Sequence, residues 1–423
     1  MLNRKKFQIN KSPYYFLLLL LFFNSLLLSQ EKKIHFEVLS NPDIRDSWWL
    51  EKNNFGIKPN GIDFRLKWNT ERQKIKYTFD VISQKDGSYL RESFIKYSFS
   101  DKTVLRTGKY YRDFSNYLND ELSSGHMLIS KNSQPMPKIG FITSKYVKRN
   151  ESLNFDFGIS HAIFDKNEFY NRPPMLHEKF LYINVNKKDF ELSMGFVHEA
   201  MWGGSTIDDG SQPDSFSDFL RVFIAEDRKK EDYGSIPSDP GWHPNAIGNH
   251  LGIWDISFKK RNKSKITMLY YQHFFEDTSG LRFANKWDGL WGIELINYIE
   301  KTNILFEYID TTNQNINPPY VNDAYYNHTV YKGGWSYKGY TIGNPFLTHN
   351  GINPSKVIHV GVSGPILNKY FYTIKASRKI NTTDFIKYHL AIKKEISINH
   401  MLNFLVFNND EEIGIGLSLS KIL

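Results

Sequence analysis

Apolar and polar residues alternate with a period of two through this chain from Ile62 to its final segment, and no other feature restricts the fold as much. In 62–68, Ile62, Phe64, Leu66 and Trp68 alternate with Asp63, Arg65 and Lys67; in 75–81, Ile75, Tyr77, Phe79 and Val81 alternate with Lys76, Thr78 and Asp80. This spacing gives a strand one apolar and one hydrophilic face. The pattern recurs at 153–159 and 190–196, and at 413–419 as Ile413, Ile415, Leu417 and Leu419 against Gly414, Gly416 and Ser418. Noisier runs lie near 91–110, 178–186, 251–260, 265–275, 287–299, 303–311, 356–363, 369–378, 385–393 and 397–407. Short polar connections such as Asn69 to Lys74 and Lys260 to Lys265 join them, which predicts about 16–18 strands in all.

No linker rich in Pro, Gly or Ser divides 30–423, and no repeat of roughly 20–50 residues is visible, so a single β domain is expected. Two architectures remain: a large soluble β protein, and a transmembrane antiparallel barrel whose strands turn one face to lipid and the other to the lumen. Composition bears on that choice. The chain holds 32 Phe, 25 Tyr and 9 Trp, yet its mean hydropathy is −0.48. A barrel needs apolar residues only on its lipid face, and its aromatics gather at the membrane interfaces.

Residues 1–29 read as a secretory signal peptide with cleavage near Ser29/Gln30. Arg4, Lys5, Lys6 and Lys11 precede an apolar stretch from Tyr14 to Phe23, which is too short and too broken by Asn24 and Ser25 for a membrane anchor. The formal charge of +9 comes from 54 basic against 45 acidic residues. Removing four basic residues with the leader leaves 50 against 45, or +5, with both signs mixed along the chain. No basic stripe for nucleic acid remains. The absence of cysteine excludes disulfides, thiolate metal sites and a thiol nucleophile.

Two stretches depart from the alternation. In 213–227, Phe216, Phe219, Leu220, Phe223 and Ile224 recur at helical spacing after Pro213 and Asp214, a suitable helix start. Around 113–122, Phe114, Tyr117, Leu118 and Leu122 do so less regularly. Both are expected to be helical segments plugging or capping a barrel lumen.

Catalytic patterns are scarce. His198-Glu199 begins a zinc-hydrolase string, but Trp202 stands where the second histidine belongs, and the segment reads as a strand. No nucleophile elbow, phosphate loop or dinucleotide fingerprint is present. Asp208, Asp209, Glu226 and Asp227 are carboxylate candidates for glycoside hydrolysis, which needs two such groups. No enzyme, cofactor or metal is implied; His243 and His250 have no third ligand in the sequence. The distinctive local feature is aromatic and glycine-rich sequence around Trp202, Gly203 and Gly204, around Trp242 and His243, and around Trp335 and Tyr337. A flat ring beside Asn, Asp or His offers a stacking surface for a sugar. The same residues also suit a packed barrel interior.

Four strings in order resemble the outer-membrane capsule-assembly Wzi family in its Bacteroidetes-type form. They are Gly195-Phe-Val-His-Glu-Ala-Met-Trp-Gly-Gly204, Asp214-Ser-Phe-Ser-Asp-Phe-Leu-Arg-Val-Phe223, Asn245-Ala-Ile-Gly-Asn-His-Leu-Gly252, and Tyr326-Asn-His-Thr-Val-Tyr-Lys-Gly-Gly-Trp-Ser-Tyr-Lys-Gly-Tyr-Thr-Ile-Gly-Asn-Pro345. The resemblance covers roughly 40–423. It implies an outer-membrane barrel of about eighteen strands, occluded by helices and loops, which attaches capsular or other surface polysaccharide as a lectin-like protein among outer-membrane lipids. Trp202, Gly203, Gly204, Trp242, His243, Asn249, His250, Asn327, His328, Trp335 and Tyr337 are the residues expected to bind glycan or to hold the architecture. A solute channel and a soluble exported glycan-active protein are the alternatives.

Overall fold

A computed structural model of the chain shows one large antiparallel sheet that closes on itself. It describes residues 32–41, 55–57, 61–112, 114–147, 150–227, 246–276, 278–313, 325–351, 353–367, 369–383, 386–397, 399–409 and 412–422. The leader at 1–29, Trp242 and His243 lie outside them.

Closure is made by the first strand, Lys32–Asn41. It pairs on one side with Gly61–Arg72 and on the other with the last strand, Glu412–Ile422. Between these, every strand pairs with its sequence neighbours in the wall. The sheet has nineteen strands. The short Gly87–Leu90 and the following Ser93–Ser100 both pair with Ile75–Gln84, in registers one residue apart. They form one stave with a bulge at Arg91 and Glu92, so eighteen staves make the ring.

The two rims differ. Tight reversals such as Gln73–Lys74, Asp101–Lys102 and Lys263–Ser264 lie at one end, and Gln73 and Lys263 take the left-handed conformation (φ 52° and 56°) that a two-residue hairpin demands. The described parts of the long connections that follow Lys109, Trp202 and Asp310 lie at the opposite end. Short turns on one side and long loops on the other are the pattern of transmembrane barrels, with the long loops outside the cell.

The alternation read from the sequence is inverted relative to a soluble protein. Ile62 and Phe64 are 57% and 48% exposed, whereas the intervening Asp63 is 3% exposed. Along Met175–Asn186, Leu181 and Ile183 face out while Tyr182 is buried; along Glu412–Ile422, Ile413, Ile415, Leu417 and Leu419 all face out. The apolar face therefore meets lipid and the polar face lines the lumen. At the long-loop rim the outer face carries stacked aromatics, Tyr271 on Trp291 at 3.8 Å with Trp287 beside them, as an interfacial belt does.

The two expected helical segments turn out differently. Phe216–Phe223 is a helix, α1, opened by a capping box: Ser215 Oγ accepts from the Asp218 amide, and the Asp218 carboxylate accepts from the Ser215 amide. It packs on the outside of the wall and not in the lumen. Residues 114–122 form turns instead of a helix. Ser115 has φ 54°, which ends any right-handed helix, and the Asn119 side chain accepts the amides of Glu121 and Leu122. The segment does enter the lumen.

Candidate functional site

The lumen is filled by two of the long connections. Phe114, Leu118, Met127, Leu128 and Ile129 from one, and Tyr326, Tyr331, Trp335, Ile342 and Phe346 from the other, form a single buried cluster with inward wall residues such as Leu176, Val197, Leu251, Phe274 and Ile309. Among the described residues, two cavities beside the plug measure about 20 Å³ and 10 Å³, room for about one water each.

What holds the first connection is a row of polar side chains on the lumen face of successive strands. Asp255 accepts hydrogen bonds from Ser115, from Tyr117 and, at 2.5 Å, from Tyr182. Gln272 accepts the Met127 amide and donates to the Tyr117 hydroxyl, both at 3.0 Å. Glu294 accepts from Asn119 at 2.6 Å. Glu307 accepts from the Ser123 hydroxyl at 2.7 Å, the Ser124 amide at 2.6 Å and the Tyr270 hydroxyl. His359 meets the Leu122 carbonyl at 2.6 Å. Each such bond contributes about 0.5–1.5 kcal/mol, and together they fix the plug against the strands from Met175–Asn186 to Lys356–Leu367.

Small residues make room for this arrangement. Gly195 stands opposite Tyr182 and Gly292 opposite Tyr270 in the ladder. A Cβ at either glycine would sit 2.2 Å or 2.0 Å from the facing ring, so the tyrosines lie flat across the glycines and aim their hydroxyls at Asp255 and Glu307.

Two titratable groups of the plug feel these surroundings. Burial, reinforced by the Arg112 charge, pushes the His126 imidazole well below its ordinary range. Its Nδ1 accepts the Leu128 amide at 3.0 Å and its Nε2 lies 2.9 Å from the Ser115 hydroxyl, which is a neutral ring's pattern. Burial works against the Glu121 charge, but Lys393 at 2.5 Å and the Thr373 hydroxyl at 2.8 Å hold that carboxyl below its usual range.

The second connection rests on the first. Trp335 donates its indole N–H to the Leu128 carbonyl at 2.8 Å, and Asn344 donates to the Gly125 carbonyl at 2.9 Å. Tyr331 donates to the Gly203 carbonyl at 3.2 Å, which joins the Gly203-Gly204 and Trp335 strings in space.

The aromatic candidates are buried on opposite sides of the wall, Trp335 and Tyr337 within the plug and Trp202 on the outer face beneath α1. Trp202, Trp335 and Tyr337 are all buried and packed against neighbouring side chains. Gly203 and Gly204 take φ 65° and 75°, and a Cβ on Gly204 would lie 2.7 Å from the Arg172 carbonyl. Asn249 is buried toward the lumen, while His250 faces out and meets His198 at 2.9 Å. His198 and Glu199 project to opposite faces of one strand, so they cannot share a metal. Asn327 and His328 keep partial exposure. Asn327 donates to the Gly351 carbonyl at 2.8 Å, and His328 Nδ1 accepts the amides of Val330 and Tyr331.

The carboxylate candidates lie in two separate places. Asp208 pairs with Lys332 at 2.7 Å on the hairpin of the rim, next to Asp209. Glu226 pairs with Arg221 at 3.5 Å just beyond α1, and Asp227 bridges to Ala246. Sequence reading missed Asp255, Gln272, Glu294, Glu307 and His359. Their signal was present as single polar residues between lipid-facing apolar neighbours, as in Phe306-Glu307-Tyr308.

The sequence profile of the family described as Capsule assembly protein Wzi matches residues 37–349. The fold is similar to that of Wzi of Escherichia coli, an outer-membrane protein involved in group 1 capsule assembly and described as a carbohydrate-binding β-barrel. The TM-score is 0.61 at 13% identity, over 98% of this chain and 89% of that one. An engineered porin of Rh. blastica gives a TM-score of 0.39 at 7% identity, over 93% and 98% of the two chains. A search of the curated proteins returned no match.

Proposed function

We propose, for a chain that belongs to the Capsule assembly protein Wzi family, a non-enzymatic role in the outer membrane: it holds capsular or another surface polysaccharide to the cell. The filled lumen carries this reading. A barrel occupied by its own connections offers a solute no path, and it leaves the long-loop rim as the surface on which a polymer can be held. The carbohydrate binding described for the Escherichia coli relative points the same way. On this rim the 205–211 hairpin and the 326–351 connection meet through Lys332 and Asp208, with Asn327 and His328 partly exposed nearby. Amide, imidazole and carboxylate groups are suited to sugar hydroxyls.

The test is retention of polymer on cells. A deletion strain is expected to shed polysaccharide into the medium, the wild-type gene to restore attachment, and an Asn327→Ala/Lys332→Glu variant to restore it only in part. Equal attachment with and without the protein would end the proposal, with the barrel itself untouched.

A further inference from the structure

Helix α1 has three sectors where a surface helix ordinarily has two. At about 100° per residue, Phe219 and Val222 share one sector and pack on the wall. Val222 is fully buried, and the Phe219 ring lies 4.8 Å from that of His161 and 5.5 Å from that of Trp202. Ser217, Asp218 and Arg221 make the polar sector, with Arg221 paired to Asp218 and Glu226. The remaining sector is apolar and open: Phe216, Leu220, Phe223 and Ile224 are 76%, 51%, 36% and 68% exposed.

The wall beneath the helix is the lipid-facing one. His161, His177 and Trp202 fall on the same strand faces as Ile159, Leu181 and Met194, which are exposed apolar residues of the barrel exterior. Lys179, on that face, donates to the Phe223 carbonyl and places its ammonium 3.9 Å above the Phe223 ring, which fastens the C-terminal end of the helix to the wall. The open sector of α1 is thus continuous with the surface that meets acyl chains. A helix with one flank on protein, one apolar flank open and one charged flank is what a water–lipid boundary demands.

We propose that α1 is an interfacial membrane anchor. Its Phe216, Leu220, Phe223 and Ile224 sector inserts among the acyl chains of the outer leaflet and ties the 203–248 connection to the membrane plane. This rests on the outer-membrane reading above, and the test separates the two.

The chain has no cysteine, so Leu220→Cys, Leu181→Cys and Lys338→Cys each give a single thiol for a fluorophore. The labelled proteins are reconstituted into phosphatidylcholine vesicles containing lipids brominated on their acyl chains. Leu181→Cys on the wall is expected to be quenched, Lys338→Cys on the rim to be unaffected, and Leu220→Cys to be quenched at least about half as strongly as Leu181→Cys. Quenching at Leu181 with none at Leu220 overturns the anchor and leaves the barrel standing. No quenching at Leu181 overturns the membrane reading and the anchor with it. An unquenched Leu220→Cys that a short bismaleimide cross-links into dimers assigns the face to a second copy and likewise overturns the anchor.

Discussion

Trp335 donates its indole N–H to the Leu128 carbonyl at 2.8 Å, and neither residue retains any solvent exposure. That bond is one of several that join the two connections filling the lumen. Replacing Trp335 by Phe removes the donor and leaves a buried carbonyl unpartnered, at a cost of about 1–3 kcal/mol. Trp335→Ala adds a cavity and costs about 3–5 kcal/mol. The temperature at which the folded barrel converts to the slower-migrating form on a gel should fall in that order, and equal transitions for both variants would contradict the packing described.

The filled lumen predicts electrical silence. Purified protein in a planar bilayer should show no sustained conductance, whereas replacing 114–135 by a short Gly/Ser link should produce steps of porin size. Persistent openings of the intact protein would refute the occlusion.

Backbone conformation sets a prediction at the glycines of the rim. Gly204 and Gly339 both have positive φ, 75° and 82°, but only Gly204 has backbone within 3 Å of a built Cβ. Gly339→Ala should cost about 1 kcal/mol, the usual price of the conformation alone. Gly204→Ala should cost clearly more, because Arg172, Pro173 and Pro174 must move as well. The two gel-shift temperatures compare them directly.

Acid should loosen the plug through His126. Its folded-state proton affinity lies below that of a free imidazole, whose pKa is near 6.5. The unfolded segment therefore takes up protons first as the pH falls. The stabilising contribution is complete above pH 6.5 and is lost as the pH drops below it toward the folded value. Protection factors of the Leu128 and Ile129 amides, corrected for the intrinsic pH dependence of exchange, should fall between pH 7.5 and 5, and His126→Asn, which keeps an acceptor but cannot titrate, should flatten that dependence.

The wall was legible because its chemistry repeats: every segment of strict alternation, from Ile62–Trp68 to Ile413–Leu419, became a stave. Residues 213–227 revealed an amphipathic helix but not its side of the wall, since Phe219 and Val222 would pack equally well on either. The pattern at 113–122 misled for a different reason. Phe114, Leu118 and Leu122 are buried because the lumen surrounds them on all sides, so their spacing reflects enclosure and not one helical face. The tryptophans were visible as unusual, but whether a ring packs or binds depends on neighbours about 130 to 210 residues away, such as Leu128 for Trp335 and Tyr331 beside Gly203, which local spacing does not encode.

The seam between Lys32–Asn41 and Glu412–Ile422 has a consequence in time. His35 lies opposite Ile422, so this contact joins stretches of chain almost as far apart as the sequence allows. Bringing such ends together carries the largest loop-closure entropy in the molecule and tends to be slow. Until it forms, the nascent sheet presents two bare edges of the kind that pair with other chains. The interval before the seam closes is therefore when the protein most needs an escort, and variants that weaken only this seam should show their defect as aggregation during assembly, with the finished barrel little changed.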